Sequence, residues 1–338
     1  VMVAKAVKKS VPMEVRTIGT VTPYATVAIR SRVSGHVVKV AFKEGQDVSR
    51  GQVLFEIDPR PLQAALAQAK ANLARDIANY KNAENDLTRY KELLASKSVT
   101  EEQYEAVRTR AEALQATVAA DQAAVDQAAV MLEYATIRAP MDGRTGDLLI
   151  DEGNVVKADD NNPLVIINQV APIYVSFAVP EQHLAEIREQ AAKERLAVTA
   201  WIPNDPQPVK GLLSFIDNSV DRATGTIQLK GTFENRDRRL WPGQFVDVVL
   251  RLRTIPDALT VPNAAIQTGQ QGRYLFVVTA EQKAERRDVT VGIQSGGDTV
   301  VSSGLTPGEV VITEGHLRLS PGCTVAVKPP TGDSQGKD

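Results

Sequence analysis

Residues 62–139 contain neither glycine nor proline, although the 338-residue chain holds 22 glycines and 18 prolines. These are the strongest breakers of regular structure, so their absence predicts a long, uninterrupted helical stretch. Twenty alanines, the best helix formers, fall within 59–136. Pro59 and Pro61 stand just ahead, where proline suits a helix's first turn. Alternating steps of four and three pass through Leu62, Leu66, Ala69, Leu73, Asp76, Tyr80, Ala83, Leu87, Tyr90 and Leu94. A second series runs Tyr104, Val107, Ala111, Leu114, Val118, Asp121, Val125, Ala128 and Leu132. Each series has a single charged member, and a 3.5-residue repeat sustained over four heptads describes a coiled-coil seam. Between the two lies the short polar segment Ala95–Thr100, and Thr100 with Gln103 has capping-box spacing. The expectation is two helices folded back antiparallel. At about 1.5 Å per residue, ~33 residues per arm make a rod of roughly 50 Å that should project.

For a turn centred near residue 98, the two charged interruptions, Asp76 and Asp121, fall in the same layer. Either both lean out to water at the seam's margin, or they form a wet layer that sets register. In the second case one carboxylate titrates high because like charges crowd.

The flanks of the helical stretch repeat one another. The first reads Val33-Ser34-Gly35-His36-Val37-Val38, then Glu44-Gly45-Gln46-Asp47-Val48, then Gly51, Leu54 and Ile57. The second reads Met141-Asp142-Gly143-Arg144-Thr145-Gly146, then Glu152-Gly153-Asn154-Val155-Val156, then Asn161, Leu164 and Ile167. Glycines punctuating short Val-rich runs indicate hairpins. Two similar halves around the rod imply a small quasi-symmetric β-sandwich with the helices spliced into the turn between them.

Beyond the rod, strands are expected at Ile173–Val179, Leu196–Ile202, Gly211–Ile216, Thr226–Phe233 and Phe245–Leu252, with one helix near Pro180–Ala192, as in a small all-β barrel or sandwich. Further strands are expected at Tyr274–Thr279, Arg287–Val291, Thr299–Ser302, Val310–Thr313 and Thr324–Lys328. The first strand is expected at about Val3–Val15. Pro329, Pro330 and the polar residues after them read as a disordered tail, 329–338.

Composition narrows the function. Thirty-nine basic against 41 acidic residues leave a net charge of -2, so no basic field invites nucleic acid. No run reaches the ~18 apolar residues that span a bilayer. Cys323 is the only cysteine, and His36, His183 and His316 have no ligand spacing, so no metal or cofactor is expected. No nucleophile–base pair appears, and neither Gly225-Thr226 nor Gly296-Gly297 belongs to a phosphate loop. Trp201 and Trp241 read as core or interdomain packing, and Cys323 as a small packed hydrophobe. No leader follows Val1 and Met2, which leaves a cytosolic chain or a trimmed leader. The function should be geometric.

The two halves resemble the biotinyl/lipoyl carrier domain, whose cofactor lysine sits at the tip of the central turn. Here Asp58-Pro59-Arg60-Pro61 occupies that place without a lysine. A lipoyl-like sandwich split by an antiparallel coiled coil resembles the periplasmic adaptor (membrane fusion protein) family of tripartite efflux pumps. The pattern is closest to adaptors of resistance-nodulation-division (RND) multidrug transporters. Further matches are Ile137-Arg138-Ala139-Pro140-Met141-Asp142-Gly143, Val220-Asp221-Arg222-Ala223-Thr224-Gly225-Thr226, Leu240-Trp241-Pro242-Gly243-Gln244-Phe245-Val246 and Val261-Pro262-Asn263-Ala264-Ala265-Ile266.

The resemblance implies an elongated, multidomain, mixed α and β fold. Its parts would be a membrane-proximal β domain (1–26 with 257–328), a lipoyl-like domain (27–58 with 137–170), an α-helical hairpin (59–136) and a β-barrel (171–256). It implies a non-enzymatic periplasmic adaptor that links an inner-membrane RND drug transporter to an outer-membrane channel. Copies would ring a sealed duct, held to the inner membrane by an N-terminal anchor not visible here. At the hairpin tip the family carries arginine, leucine four later and serine seven later; Arg89, Leu93 and Thr100 match, with threonine in the serine's place. That trio would meet the outer-membrane channel, the arginine through its bidentate fork. Read locally, Arg89 is a solvated helix residue, Leu93 packs nearby and Thr100 is an N-cap. Rivals are an adaptor of an ABC-type or metal-ion exporter, a carrier protein, and a purely structural coiled-coil scaffold.

Overall fold

The strands Val53–Ile57 and Thr136–Arg138 are hydrogen-bonded antiparallel, with Phe55 opposite Ile137, so the helical stretch leaves and re-enters the sheet at neighbouring points. The computed structural model describes residues 1–269, 272–316, 319–320 and 322–327. It divides into one unit of Pro23–Ala171 and another of Val1–Thr22 with the chain from Pro172 onward.

In the Pro23–Ala171 unit, α1 (Arg60–Ala95) and α2 (Glu101–Glu133) pack on each other. Every residue of the two seam series is buried or half-buried, while most of the remaining helix surface is exposed. The periodic pattern therefore reports the face each helix turns to its neighbour. Entry to α1 is set by Asp58. Its carboxylate accepts from the Arg60 amide (3.1 Å) and from the Arg60 guanidinium (2.6 Å at the closest), which holds the carboxyl down at about 2.

The repeated flanks interlock. Gly35 pairs with Val156 and Gly143 with Val48, so each half lends its post-turn strand to the start of the other. The Glu44 carboxylate accepts from the Leu148 amide (2.7 Å), and that of Glu152 from the Val40 amide (2.8 Å). Gly45 and Gly153 both adopt positive φ, which the two glutamate-glycine turns require. A shared core of Val37, Leu54, Phe55, Ile57, Leu164, Val165 and Ile167 fills the space between the halves.

In the other unit, Thr226–Phe233 alternates as the sequence predicts, with Ile227, Leu229 and Phe233 buried. It pairs with residues 173–180 on one side and with Val209–Asp221 on the other. The pairing continues through Ala197–Trp201 to Phe245–Pro262 and then to Val7–Ile29. The Thr17 hydroxyl donates to the Ala178 carbonyl (2.9 Å), which brings the last strand of this row back against the first. The expected helix begins as a 3-10 turn, Glu181–His183, and becomes α3, Leu184–Lys193, with Ile187 fully buried.

Several strand limits differ from expectation. Val3–Val15 is two strands, Met2–Lys5 and Val7–Ile29. Only the first pairs with Val310–Glu314, whereas Val15–Thr20 pair with Phe245–Leu250. Arg287–Val291 is also two strands, separated at Val289, which is buried and donates its amide to the Arg273 carbonyl. In the Thr324 segment, Thr324 makes only an isolated bridge, to Lys283. Lys328 and the tail 329–338 lie outside the described residues.

Candidate functional site

The turn between α1 and α2 is closed from both sides by backbone groups. Lys97 takes a left-handed conformation (φ 59°); its amide donates to the Leu94 carbonyl (2.9 Å) and the Ser98 amide to the Leu93 carbonyl (2.9 Å). This is the Schellman arrangement, which ties off the last carbonyls of a helix. The Ser96 hydroxyl also donates to Leu93 O (2.9 Å). On the other side the Thr100 hydroxyl oxygen accepts from the Gln103 amide (3.2 Å), while Gln103 Oε1 accepts from the Thr100 amide (3.0 Å), completing the expected capping box. Glu101 and Glu102 follow in the first turn, where negative charge suits the helix dipole. The tip is thus a tight, fully capped corner.

The sequence-predicted trio sits around this corner. Leu93 is half-buried and supplies the carbonyl on which the cap converges. Thr100 is exposed, and its hydroxyl proton is left over for donation. Arg89 is exposed one turn earlier, paired with Asp86 (3.1 Å) in an i, i+3 contact that solvent weakens. Leu93 and Thr100 belong to the corner itself; Arg89 is held to its own helix. The serine–lysine–serine turn contributes more of the tip than sequence reasoning gave it. Nothing in the sequence flagged Lys97, because glycine or asparagine is the usual signal for a left-handed cap.

Midway along the pair, Asp76 is buried (7% exposed) and points into the seam rather than to water. Arg75 grips its carboxylate (3.0 and 2.8 Å) and Asn79 donates to it (3.0 Å), which holds Asp76 down at about 2, the Arg75 hydrogen bonds foremost. Asp121, facing it from α2, has a buried Oδ2 with no hydrogen-bond partner among the described residues. Its carboxyl is pushed above the ordinary value, first because the protonated acid can donate to Asp76, then by burial and by repulsion from Asp76. Arg75 opposes the shift.

Other singled-out residues fall elsewhere. Trp201 (40% exposed) and Trp241 (49%) are not core residues. Trp201 ends a strand whose inward positions are Val198 and Ala200, so alternation turns it outward, and Trp241 lies in the turn before Phe245. Cys323 packs against the cluster of Phe276, Ala284, Ile312 and Val325. His36 lies on Gly35–Val40, His183 ends the 3-10 turn, and His316 Nε2 meets Ile312 O (2.9 Å). Among the described residues, no three His, Cys, Asp or Glu side chains gather to hold a metal.

Family models for RND membrane fusion proteins match three consecutive segments. They are the barrel-sandwich hybrid domain at 25–168, the β-barrel domain at 172–254 and the C-terminal permuted SH3 domain at 257–318. The chain is 40% identical over 329 residues to multidrug resistance protein MdtA of Pantoea ananatis, covering 97% of this chain and 80% of that protein. With MdtA of Escherichia coli K12 it shares 38% over 329 residues, covering 97% and 79%. Its fold is similar to a MacA–MexA chimera bearing the Pseudomonas aeruginosa MexA α-hairpin domain (TM-score 0.64, 24% identity, 90% and 98% covered). It is also similar in fold to MacA from Actinobacillus actinomycetemcomitans (TM-score 0.62, 22% identity, 93% and 100% covered). The chain belongs to the RND membrane fusion proteins, periplasmic adaptors of efflux pumps that are not themselves enzymes.

Proposed function

We propose that this adaptor joins an inner-membrane RND drug transporter to an outer-membrane channel through the capped corner of its helix pair, several copies ringing a sealed periplasmic duct. The observation that carries the proposal is the splice. A two-helix arm whose seam residues turn toward each other is inserted between hydrogen-bonded strands, and its outermost surface is the corner that presents Leu93 and Thr100, with Arg89 one turn behind. In this reading the arm is an antiparallel coiled coil (59–136) set in a lipoyl-like sandwich (27–58 with 137–170). A β-barrel (171–256) and a membrane-proximal β domain (1–26 with 257–328) make up the rest. The chain is held to the inner membrane through an N-terminal anchor.

Arg89 would fork onto carboxylates or carbonyls of the channel, Leu93 would add apolar contact, and the Thr100 hydroxyl would donate a hydrogen bond. The carrier alternative lacks its reactive lysine at Asp58-Pro59-Arg60-Pro61, and the Arg60 side chain there is committed to Asp58. Arg89→Glu combined with Leu93→Ser, in a strain that depends on this pump, should abolish drug resistance while circular dichroism and transporter co-purification stay unchanged. Full resistance in that strain defeats the assignment of the tip.

A further inference from the structure

Only four residues of the helix pair are buried: Ala83, Ala111, Val125 and Asp76. Three are what a seam selects. The fourth is a carboxylate held at the middle of the arm, and α2 sets a second carboxylate against it. The facing groups are Arg75 and Asn79 from α1 and Asp121 from α2. Asp126, one turn further along α2, is bonded by Gln122 (2.9 Å) at the exposed surface. Arg75 is the single positive charge bearing on the pair, and both its contacts go to Asp76. Two ionised carboxylates are both acceptors and cannot bond each other. With both groups ionised, Asp121 Oδ2 stays a buried acceptor without a partner among the described residues. A proton on the Asp121 carboxyl gives the pair a donor, and Asp76 is the acceptor within its reach.

We propose that Asp76 and Asp121 form a proton-held latch at the middle of the helix pair. Protonated Asp121 donates a hydrogen bond to the Asp76 carboxylate, and loss of that proton to solvent loosens the pairing locally. The sign follows from the two directions of shift. Asp121 binds its proton more tightly in the folded arm than in an unfolded chain. Its stabilisation is complete below the ordinary aspartate range, and it disappears as pH climbs through the raised value. Asp76 is shifted the other way, so its bonds to Arg75 are lost only as pH falls below the ordinary range. The latch is tightest when the pair holds one proton, in mildly acidic surroundings. It goes beyond the proposed channel contact and does not depend on it.

Amide hydrogen exchange of the full chain tests this at about pH 5 and about pH 8, after correction for intrinsic exchange. Amides near residues 73–80 and 117–125 should lose protection at the higher pH, by about tenfold for each unit by which the raised Asp121 value exceeds the lower of the two pH values. Asp121→Asn, whose amide donates to Asp76 at any pH, should keep protection at both. Asp76→Leu with Asp121→Leu should abolish the pH response while stabilising the arm. Carbon-13 titration of the aspartate carboxyls should show Asp121 ionising above the ordinary range. Protection in the wild type that is unchanged with pH overturns the latch. So does a pH response that persists in Asp121→Asn, or an Asp121 that ionises in the ordinary range.

Discussion

Gly35 and Gly143 occupy matching places in the two repeated halves, each pressed against an isoleucine of its own half. A Cβ on Gly35 would lie 2.6 Å from Ile57 Cγ2, and one on Gly143 would lie 2.7 Å from Ile167 Cγ2. Both positions face a strand contributed by the other half, at Val156 and Val48. The internal repeat is thus a packing relationship as well as a pattern of letters.

The two glycines should not respond equally to a methyl group. At Gly143 the added carbon would also meet the Asn168 backbone oxygen at 2.9 Å, and backbone cannot turn aside as a side chain can. Gly143→Ala should destabilise by about 1–3 kcal/mol, the usual range for overpacking, and Gly35→Ala by less. Urea melts of the two variants against wild type measure the difference. Equal effects would show that the Asn168 contact is relieved.

Thr100 caps α2, so Thr100→Ala should lower stability by about 1 kcal/mol, whereas Thr100→Ser should be nearly neutral because the accepting oxygen remains. Helix-specific hydrogen exchange at residues 101–104 would register the loss. If Thr100→Ser were as damaging as Thr100→Ala, the methyl rather than the cap would be the stabilising part.

Asp58 fixes the first turn of α1 only while ionised. Its carboxyl is held down at about 2, chiefly by the Arg60 side chain. Its contribution should therefore be complete above the ordinary aspartate value near 4 and vanish as pH falls toward about 2. Thermal melts of wild type and Asp58→Asn should differ at about pH 6 and converge at about pH 2. A gap that stays constant across this window would contradict the assignment.

Asn235 is buried in a left-handed conformation (φ 50°), with Nδ2 donating to Leu240 O (2.9 Å) and Oδ1 accepting from Leu240 N (3.0 Å). Asparagine tolerates this backbone region better than most residues. Asn235→Ala strips two partners from the fully buried Leu240 backbone and should destabilise by about 1–3 kcal/mol, read from urea melts. Asn235→Asp keeps the acceptor alone and should recover only part of the loss.

Whatever depends on neighbours in the chain was legible in the residues. The breaker-free stretch became two helices, every seam position turned inward, and Thr100 with Gln103 formed the capping box, because helical bonds and caps join residues three or four apart. The Glu44-Gly45 and Glu152-Gly153 turns were visible because positive φ demands glycine at those steps. Tertiary structure decided the rest. The stretch from Val7 to Thr20 is one strand because the segment from Phe245 to Thr260, far along the chain, offers it a partner. Trp201 faces outward because its strand's parity is set by which face buries Val198. Spacing places Asp76 and Asp121 in one layer but leaves open whether they lean out to water; the structure turns Asp76 inward, where Asp121 of the other helix faces it. Strand partners and the facing of single side chains are long-range choices. They are settled by which distant surfaces meet, and no local spacing carries that information.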